Sequence, residues 1–479
     1  MILVLIIAAV LRLTGVDWDG NHHLHPDERF LTMVETAISP VENIKEYFDT
    51  SNSSLNPNNR GYTFYVYGTL PLIITRYVGE WVGMTGYDEI NLVGRVLSAV
   101  FDLGTILMIY LIARRLYRQA QIGLLAALFS ALAVLQIQLS HFFTVDNFAN
   151  FFTYAAIYVA VIIATTNFNP DVSDPEKRTN SLTPNWLKDH WDSAVLFILF
   201  GVLYGAAMAS KVSIFALAAL LPLAAFLHYS KLPVEQKKVA LPILVRNVVI
   251  AGLISFVAFR IFQPYTFSGP GFFDLKLNPG WLSSLRELSV IQSGEVDVPY
   301  ALQWARRPFT FTAQNLLLYG LGLPLGILSL AGLIWMTWRI IKGDWQKHLL
   351  IWSWVVYILI TQSLAHVKSM RYVIAIYPAL ALVAAWTIFK LFECGTTNPK
   401  KIRLFQFNWR KVLAMFALIV TVLGSAVWAF AFTSIYTRPV TRVAASAWIY
   451  ENIPAAVTLP VITEDGGVTN LPAAYQNGA

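Results

Sequence analysis

Long apolar runs recur along the whole chain, and no other feature limits its fold as strongly. They lie at about 1–14, 90–113, 120–140, 148–166, 193–209, 212–229, 241–263, 313–338, 349–365, 372–391 and 412–434. An α-helix needs roughly 20 apolar residues to cross a hydrocarbon core of about 30 Å. Inside lipid every backbone polar group must find its partner within the protein, which leaves helices or closed barrels. Composition agrees: 56% of the 479 residues are hydrophobic and only 13% are charged, against about 25% charged in soluble domains. The chain therefore reads as an all-α polytopic membrane protein with about eleven transmembrane helices. The stretch 63–84 is apolar but carries Pro71, Arg76 and Glu80, and reads as a helix lying on the membrane interface.

Basic clusters give the orientation. Arg114/Arg115/Arg118, Lys231/Lys237/Lys238, Arg339/Lys342/Lys347 and Lys400/Lys401/Arg403/Arg410/Lys411 all fall on one side when eleven spans are counted. That side is the cytoplasm. The N-terminus then starts inside, residues 15–89 form the first outer loop, and 167–191 form a cytoplasmic loop. The net charge of +7 is on this reading an orientation signal and does not call for nucleic acid. The single Cys394 excludes an internal disulfide. The first run is followed by no small-residue cleavage site and is not read as a signal peptide. Both ends read as incomplete, and two regions follow. Residues 1–434 form the transmembrane domain. Residues 435–479 open an extracytoplasmic C-terminal domain, with a short helix near 441–452 and a strand-like VTLPVIT.

Ionisable groups at membrane depth cost about 3 kcal/mol or more and mark function by default. Five polar clusters gather on the outer side: HHLHPDERF (22–30), HFFTVDN (141–147), Ser210–Lys211, RIFQPYTF (260–267) and HVKSMRY (366–372). Asp27 and Glu28 follow Pro26, where carboxylates both complement a helix dipole and could accept a proton from an attacking hydroxyl. Adjacent helical residues point about 100° apart, so one of the two acts as base. Asp27 is the choice, with Glu28 orienting it or the acceptor. His23 and His25, with Asp19 of the Asp17/Asp19 pair, could hold a divalent metal; equally, they are interfacial histidines with no metal. Asp146, beside Asn147, reads as a helix cap or as a second acidic site residue. Lys368 and Arg371 stand in a short outer loop where basic residues are disfavoured. Two cations there suit a phosphate or anionic lipid headgroups, and Tyr372 could stack on a sugar. Lys211 and Arg260 add to the same rationale. Arg95 and Asp102, seven residues apart on one helix face, read either as a buried pair or as part of a site.

In combination these stretches resemble the GT-C integral membrane glycosyltransferases, particularly the protein O-mannosyltransferase-like and lipid A aminoarabinose transferase-like branch. HPDERF resembles that branch's first-loop acidic motif. YGTLPLIITRYVGEW and NLVGRVLSAVFDLGTILMIYLIARRLY resemble its interfacial helix and second span. ASKVSIFALAALLPLAA and MRYVIAIYPALALVAAW fit its central and late spans, and TRVAASAWIYENIP its junction into an outer domain. The resemblance implies a polyprenyl-phosphate sugar as donor and inverting transfer to a hydroxyl of a protein, lipid or glycan. It also implies Asp27 as base beside Glu28, Asp146 orienting acceptor or sugar, and Lys368 and Arg371 on the lipid phosphate. Arg95 matches an arginine of the family's second span, and mannose is the family's most familiar sugar. No W-W-D motif is present, which argues against N-glycosylation. The setting implied is a prokaryotic plasma membrane, with the site on the extracytoplasmic face. The competing readings are a transporter or flippase of lipid-linked saccharides, or a polysaccharide polymerase. A transporter calls for inverted repeats and midplane sites, whereas here the ionisable residues gather at one face.

Overall fold

The computed structural model describes residues 1–166, 185–296, 298–299, 301–394, 409–453, 458–463 and 466–472. Most of the loop read over 167–191, the side chain of Cys394, and Lys400, Lys401 and Arg403 lie outside them. The described chain is a bundle of helices with one antiparallel strand pair, Thr458–Ile462 against Val468–Pro472, near its end. The strand-like VTLPVIT thus falls largely on the first strand, and the short helix before it spans Thr441–Asn452.

Seven described helices are long and apolar enough to cross a membrane, or eight if one bent pair is a single span. The chain is a multi-pass membrane protein. Eleven is not the number that helix length alone returns, because Ile2–Leu13 and Ala194–Ser210 are shorter apolar helices. One of the seven, Leu323–Leu364, doubles back. Gly343 has a non-helical φ of 106°, and Trp352 Nε1 reaches back to donate to Thr337 Oγ1 at 2.8 Å. The amphipathic stretch read over 63–84 is helical over Thr69–Val82. Its 14 residues rise about 21 Å, too short to span.

Two expected spans are broken. The run 120–140 is two helices, Ala120–Leu132 and Val134–Ser140, bent by 59°. The run 313–338 is interrupted at Leu321–Gly322, before the helix Leu323–Arg339 begins. Breaks expose backbone groups that lipid cannot satisfy, and at the first of them a side chain takes over that role. Arg12, fully buried in the helix Ile2–Leu13, donates to the carbonyls of Ala131 at 2.6 Å and Ser130 at 3.2 Å. Its charge is met by Asp102 Oδ2 at 2.8 Å. Gln136 donates to the other Asp102 oxygen at 3.0 Å and accepts from Ser130 Oγ at 2.9 Å. The partner of Asp102 is thus Arg12 and not Arg95.

The bundle core also fixes where the late loop sits. Tyr154, on the helix Val145–Thr165, donates its hydroxyl to the Ala375 carbonyl and accepts from the Ala379 amide, both at 2.9 Å. Trp354 Nε1 donates to the same Ala375 oxygen at 2.9 Å. These bonds hold the turn Met370–Ile376, and so Arg371 and Tyr372, against the helix Val145–Thr165 that carries Asp146 in its first turn.

Arg12→Met leaves Asp102 buried without its counter-ion, a loss of about 3–5 kcal/mol. A large fall in the melting temperature of the detergent-solubilised protein is expected, and Arg12→Met/Asp102→Leu is expected to recover much of it.

Candidate functional site

The acidic stretch 22–30 is carried on the start of the helix Pro26–Ala37. Pro26 occupies its first position, and the His25 ring caps it, Nδ1 accepting from the Glu28 amide at 3.2 Å. The two neighbouring carboxylates then take opposite surroundings, as their angular separation requires. Glu28 points inward and is fully buried. Arg95 grips it with Nε on Oε1 at 2.6 Å and Nη2 on Oε2 at 2.9 Å. The Phe143 amide adds a third bond at 3.0 Å. Arg95 also donates to Asp19 Oδ1 at 2.9 Å and to the Val16 carbonyl at 2.8 Å. A bidentate guanidinium with further hydrogen bonds is the arrangement in which a buried ion pair holds its charges. Phe143 reaches it only because Gly94 has no side chain: a Cβ there would stand 2.2 Å from the Phe143 ring.

Asp27 faces the other way, about one quarter exposed, and its Oδ2 accepts from Arg371 Nη1 across 344 positions of sequence. Beside Arg371 stands Tyr372, whose ring lies 5.6 Å from the Arg371 guanidinium and 5.1 Å from Lys211 Nζ. Lys211 in turn donates to Asp146 Oδ1 at 2.6 Å. Lys211 holds that position because it is the extended residue between the helix Asn185–Ser210 and the turn Val212–Ala219. Five residues from four distant segments thus form one chain, Asp27–Arg371–Tyr372–Lys211–Asp146, in which two ion pairs meet across the Tyr372 ring. A small cavity of about 40 Å³ opens against Asp146, Lys211, Tyr372 and Asn150. Asn150 is buried there with neither amide atom bonded to any described group.

His25 looks onto this chain as well as capping the helix. Its ring stacks 4.3 Å from Phe142. Burial, and then the Arg371 charge, lower its pKa from 6.5 to about 4, against the opposing pull of Asp146.

Several residues from the sequence reading are placed elsewhere. Asp146 is not a helix cap: Thr144 holds that position, and Asp146 lies within the first turn. Arg95 is spent on Glu28 and Asp19, so it is no phosphate ligand. Arg260 uses its nitrogens on the carbonyls of Phe272, Pro264 and Gly271 at 2.5–3.2 Å, packed among Phe48, Phe267 and Phe272. Lys368 Nζ folds back onto the Ala365 carbonyl of its own loop. The three metal candidates part company. Asp19 serves Arg95 and the Leu24 amide, His23 Nε2 bonds Asp88 at 3.0 Å, and His25 caps a helix. Among the described residues no three His, Cys, Asp or Glu side chains stand as a metal-binding group.

Residues 87–170 match the family described as Dolichyl-phosphate-mannose-protein mannosyltransferase. That segment holds Arg95 and Asp146. No curated protein matches in sequence. In structure the chain is similar to the Archaeoglobus fulgidus oligosaccharyltransferase in its apo form, at a TM-score of 0.56 and 15% identity. The likeness covers 95% of this chain and 58% of that one, so this chain spans little more than half the neighbour's length. It is similar also to the archaeal oligosaccharyltransferase AglB in complex with an inhibitory peptide and a dolichol-phosphate, at a TM-score of 0.54, 15% identity and coverages of 95% and 57%. ArnT from Cupriavidus metallidurans bound to undecaprenyl phosphate matches at a TM-score of 0.48 and 15% identity, over 89% and 78%.

The neutral His25 fixes a pH dependence. A ring whose folded pKa lies below its unfolded value destabilises the fold as pH falls, because the unfolded chain takes up the proton first. Melting temperature is expected to be level above about pH 6.5 and to fall towards about pH 4. His25→Asn, which keeps a capping side chain, is expected to flatten that part of the profile. With this site geometry in place, the chain is a multi-pass membrane protein whose fold is similar to that of the Archaeoglobus fulgidus oligosaccharyltransferase, and its residues 87–170 match the Dolichyl-phosphate-mannose-protein mannosyltransferase family.

Proposed function

We propose that the chain transfers a sugar from a polyprenyl-phosphate donor to a hydroxyl acceptor, with inversion, at the extracytoplasmic face of the membrane. The observation that carries this reading is the Asp27–Arg371 pair, partly exposed and continued through Tyr372 to Lys211 and Asp146. The leaving group of such a donor is a phosphate, and charge developing on it calls for preorganised cations. Arg371 and Lys211 supply them, with Lys368 in reserve on the same loop. The nucleophile is a hydroxyl, and its proton needs a carboxylate within hydrogen-bond reach.

Asp27 and Arg371 satisfy each other. An incoming phosphodiester offers Arg371 an equivalent charge-assisted partner, and the exchange releases the Asp27 carboxylate. The freed carboxylate takes the acceptor's proton as its oxygen attacks the anomeric carbon. The bond from that carbon to the phosphate oxygen breaks on the opposite face, and the electron pair leaves on polyprenyl phosphate. Asp146 holds Lys211 and orients sugar or acceptor. Glu28 touches neither reactant: through Arg95 it holds the start of the helix that aims Asp27. A hexose such as mannose is the sugar that the family match favours. In this reading residues 1–434 are the catalytic domain, with eleven spans and the N-terminus in the cytoplasm of a plasma membrane, and 435–479 open an outer domain.

The test is release of polyprenyl phosphate from a synthetic polyprenyl-phosphate mannose by purified protein, with hydroxyl-bearing peptides and lipids as acceptors. Asp27→Asn is expected to lower kcat by about 10²–10⁴-fold, the usual worth of a general base. Arg371→Met is expected to lower kcat more than it raises KM, as for a cation acting on the transition state. Full turnover by Asp27→Asn overturns Asp27 as base, and movement of intact donor across vesicles without release overturns transfer. For orientation, single cysteines introduced by Arg29→Cys and Lys237→Cys on a Cys394→Ser background are expected to differ. An impermeant maleimide added outside intact cells should label the first and spare the second.

A further inference from the structure

At the far end of the bundle lies a cavity of about 1060 Å³ that the transfer reaction does not use. The helix Tyr87–Tyr117 links the two ends: Arg95 stands beside Glu28, and Arg115, twenty residues on, lies about 30 Å further along the axis. Arg114, Arg115, Arg118, Lys231 and Lys347 all line the cavity. Among the described residues none of these five has a carboxylate partner. The two carboxylates in the lining, Asp344 and Glu393, are paired with Arg339 and Lys390. Lys231 lies within electrostatic range of Arg118 and Lys347. The positive-inside tendency requires cations in these loops. It does not require them to converge from separate helices on one concave volume, where like charges repel. The floor supplies a second, independent sign of an acceptor. Trp386 lines the cavity with its buried indole N–H bonded to no described group. His348, edge-on at 4.9 Å, is held by the Tyr117 hydroxyl at 3.2 Å.

We infer that this cavity is a binding site for a phosphate-bearing anion, its charge met by Arg114, Arg118 and Lys347 and one oxygen by the Trp386 N–H. The group belongs to an anionic phospholipid headgroup or to a soluble phosphate compound, and the inference does not rest on the transfer reaction at the other end.

Wild-type protein is placed in nanodiscs of phosphatidylcholine alone or with phosphatidylglycerol, with inorganic pyrophosphate titrated into the first. Phosphatidylglycerol retention is read by native mass spectrometry and pyrophosphate affinity by calorimetry. Arg114→Gln/Arg118→Gln/Lys347→Gln is expected to weaken whichever binding is seen at least tenfold. Lys237→Gln/Lys238→Gln, which removes basic residues outside the cavity lining, is expected to leave it within twofold. Trp386→Phe keeps every charge and is expected to weaken it about threefold, so a folding defect in the triple variant does not decide the matter. Retention of phosphatidylglycerol identifies a lipid headgroup, and pyrophosphate binding alone a soluble ligand. Binding of neither, equal weakening by the two lysine changes, or wild-type affinity in both cavity variants overturns the site.

Discussion

A guanidinium and two carboxylates can be buried together only if they replace the water each has lost. Arg95, Glu28 and Asp19 do so through a bidentate pair, a second carboxylate, a backbone carbonyl and the Phe143 amide. The segment that carries Asp19 and Glu28, the helix Tyr87–Tyr117 and the segment before Asp146 are tied at this point. Removing one member strands the others, at a cost of about 3–5 kcal/mol. The geometry of the partly exposed site follows from it. With Glu28 held inward, Asp27 is turned outward at a fixed height, and with Phe143 held, Asp146 stands close by in the first turn of its helix.

The same division of labour recurs along the chain. Arg12 with Asp102 satisfies a broken helix deep in the bundle, while Lys211 with Asp146 and Arg371 with Asp27 stand at a partly open surface. Buried pairs fix the scaffold. In the proposed exchange the partly exposed Asp27–Arg371 pair changes partners, because solvent and an incoming anion compete for it on nearly equal terms. Tyr372 lies between the two partly buried cations, Arg371 and Lys211, and links them through its ring face.

Apolar run length and basic clusters made the membrane class legible in the sequence, and so did the stretch 22–30 as the sharpest polar feature. Asp27, Arg371, Tyr372, Lys211 and Asp146 were all named there, and the folded chain brings them together. What sequence could not divide was cation from cation. Arg260 and Arg371 both stand beside an aromatic at the end of an apolar run, yet one is closed off by backbone carbonyls and the other faces a carboxylate. Arg95 and Asp102 share a helix face at heptad spacing, but their partners, Glu28 and Arg12, are fixed by packing between helices far apart in sequence. The 59° break near Leu132 was hidden because no proline or glycine marks it. Its signal lay elsewhere, in the lone Arg12 of an otherwise apolar run.

The central claim is that Arg371 exchanges the Asp27 carboxylate for the donor's phosphate. Binding of polyprenyl phosphate to the wild type and to Asp27→Asn, titrated side by side in the same nanodiscs, tests it most directly. Removing the competing carboxylate is predicted to tighten phosphate binding severalfold in the variant that has lost turnover. Weaker binding by Asp27→Asn than by the wild type would contradict the exchange.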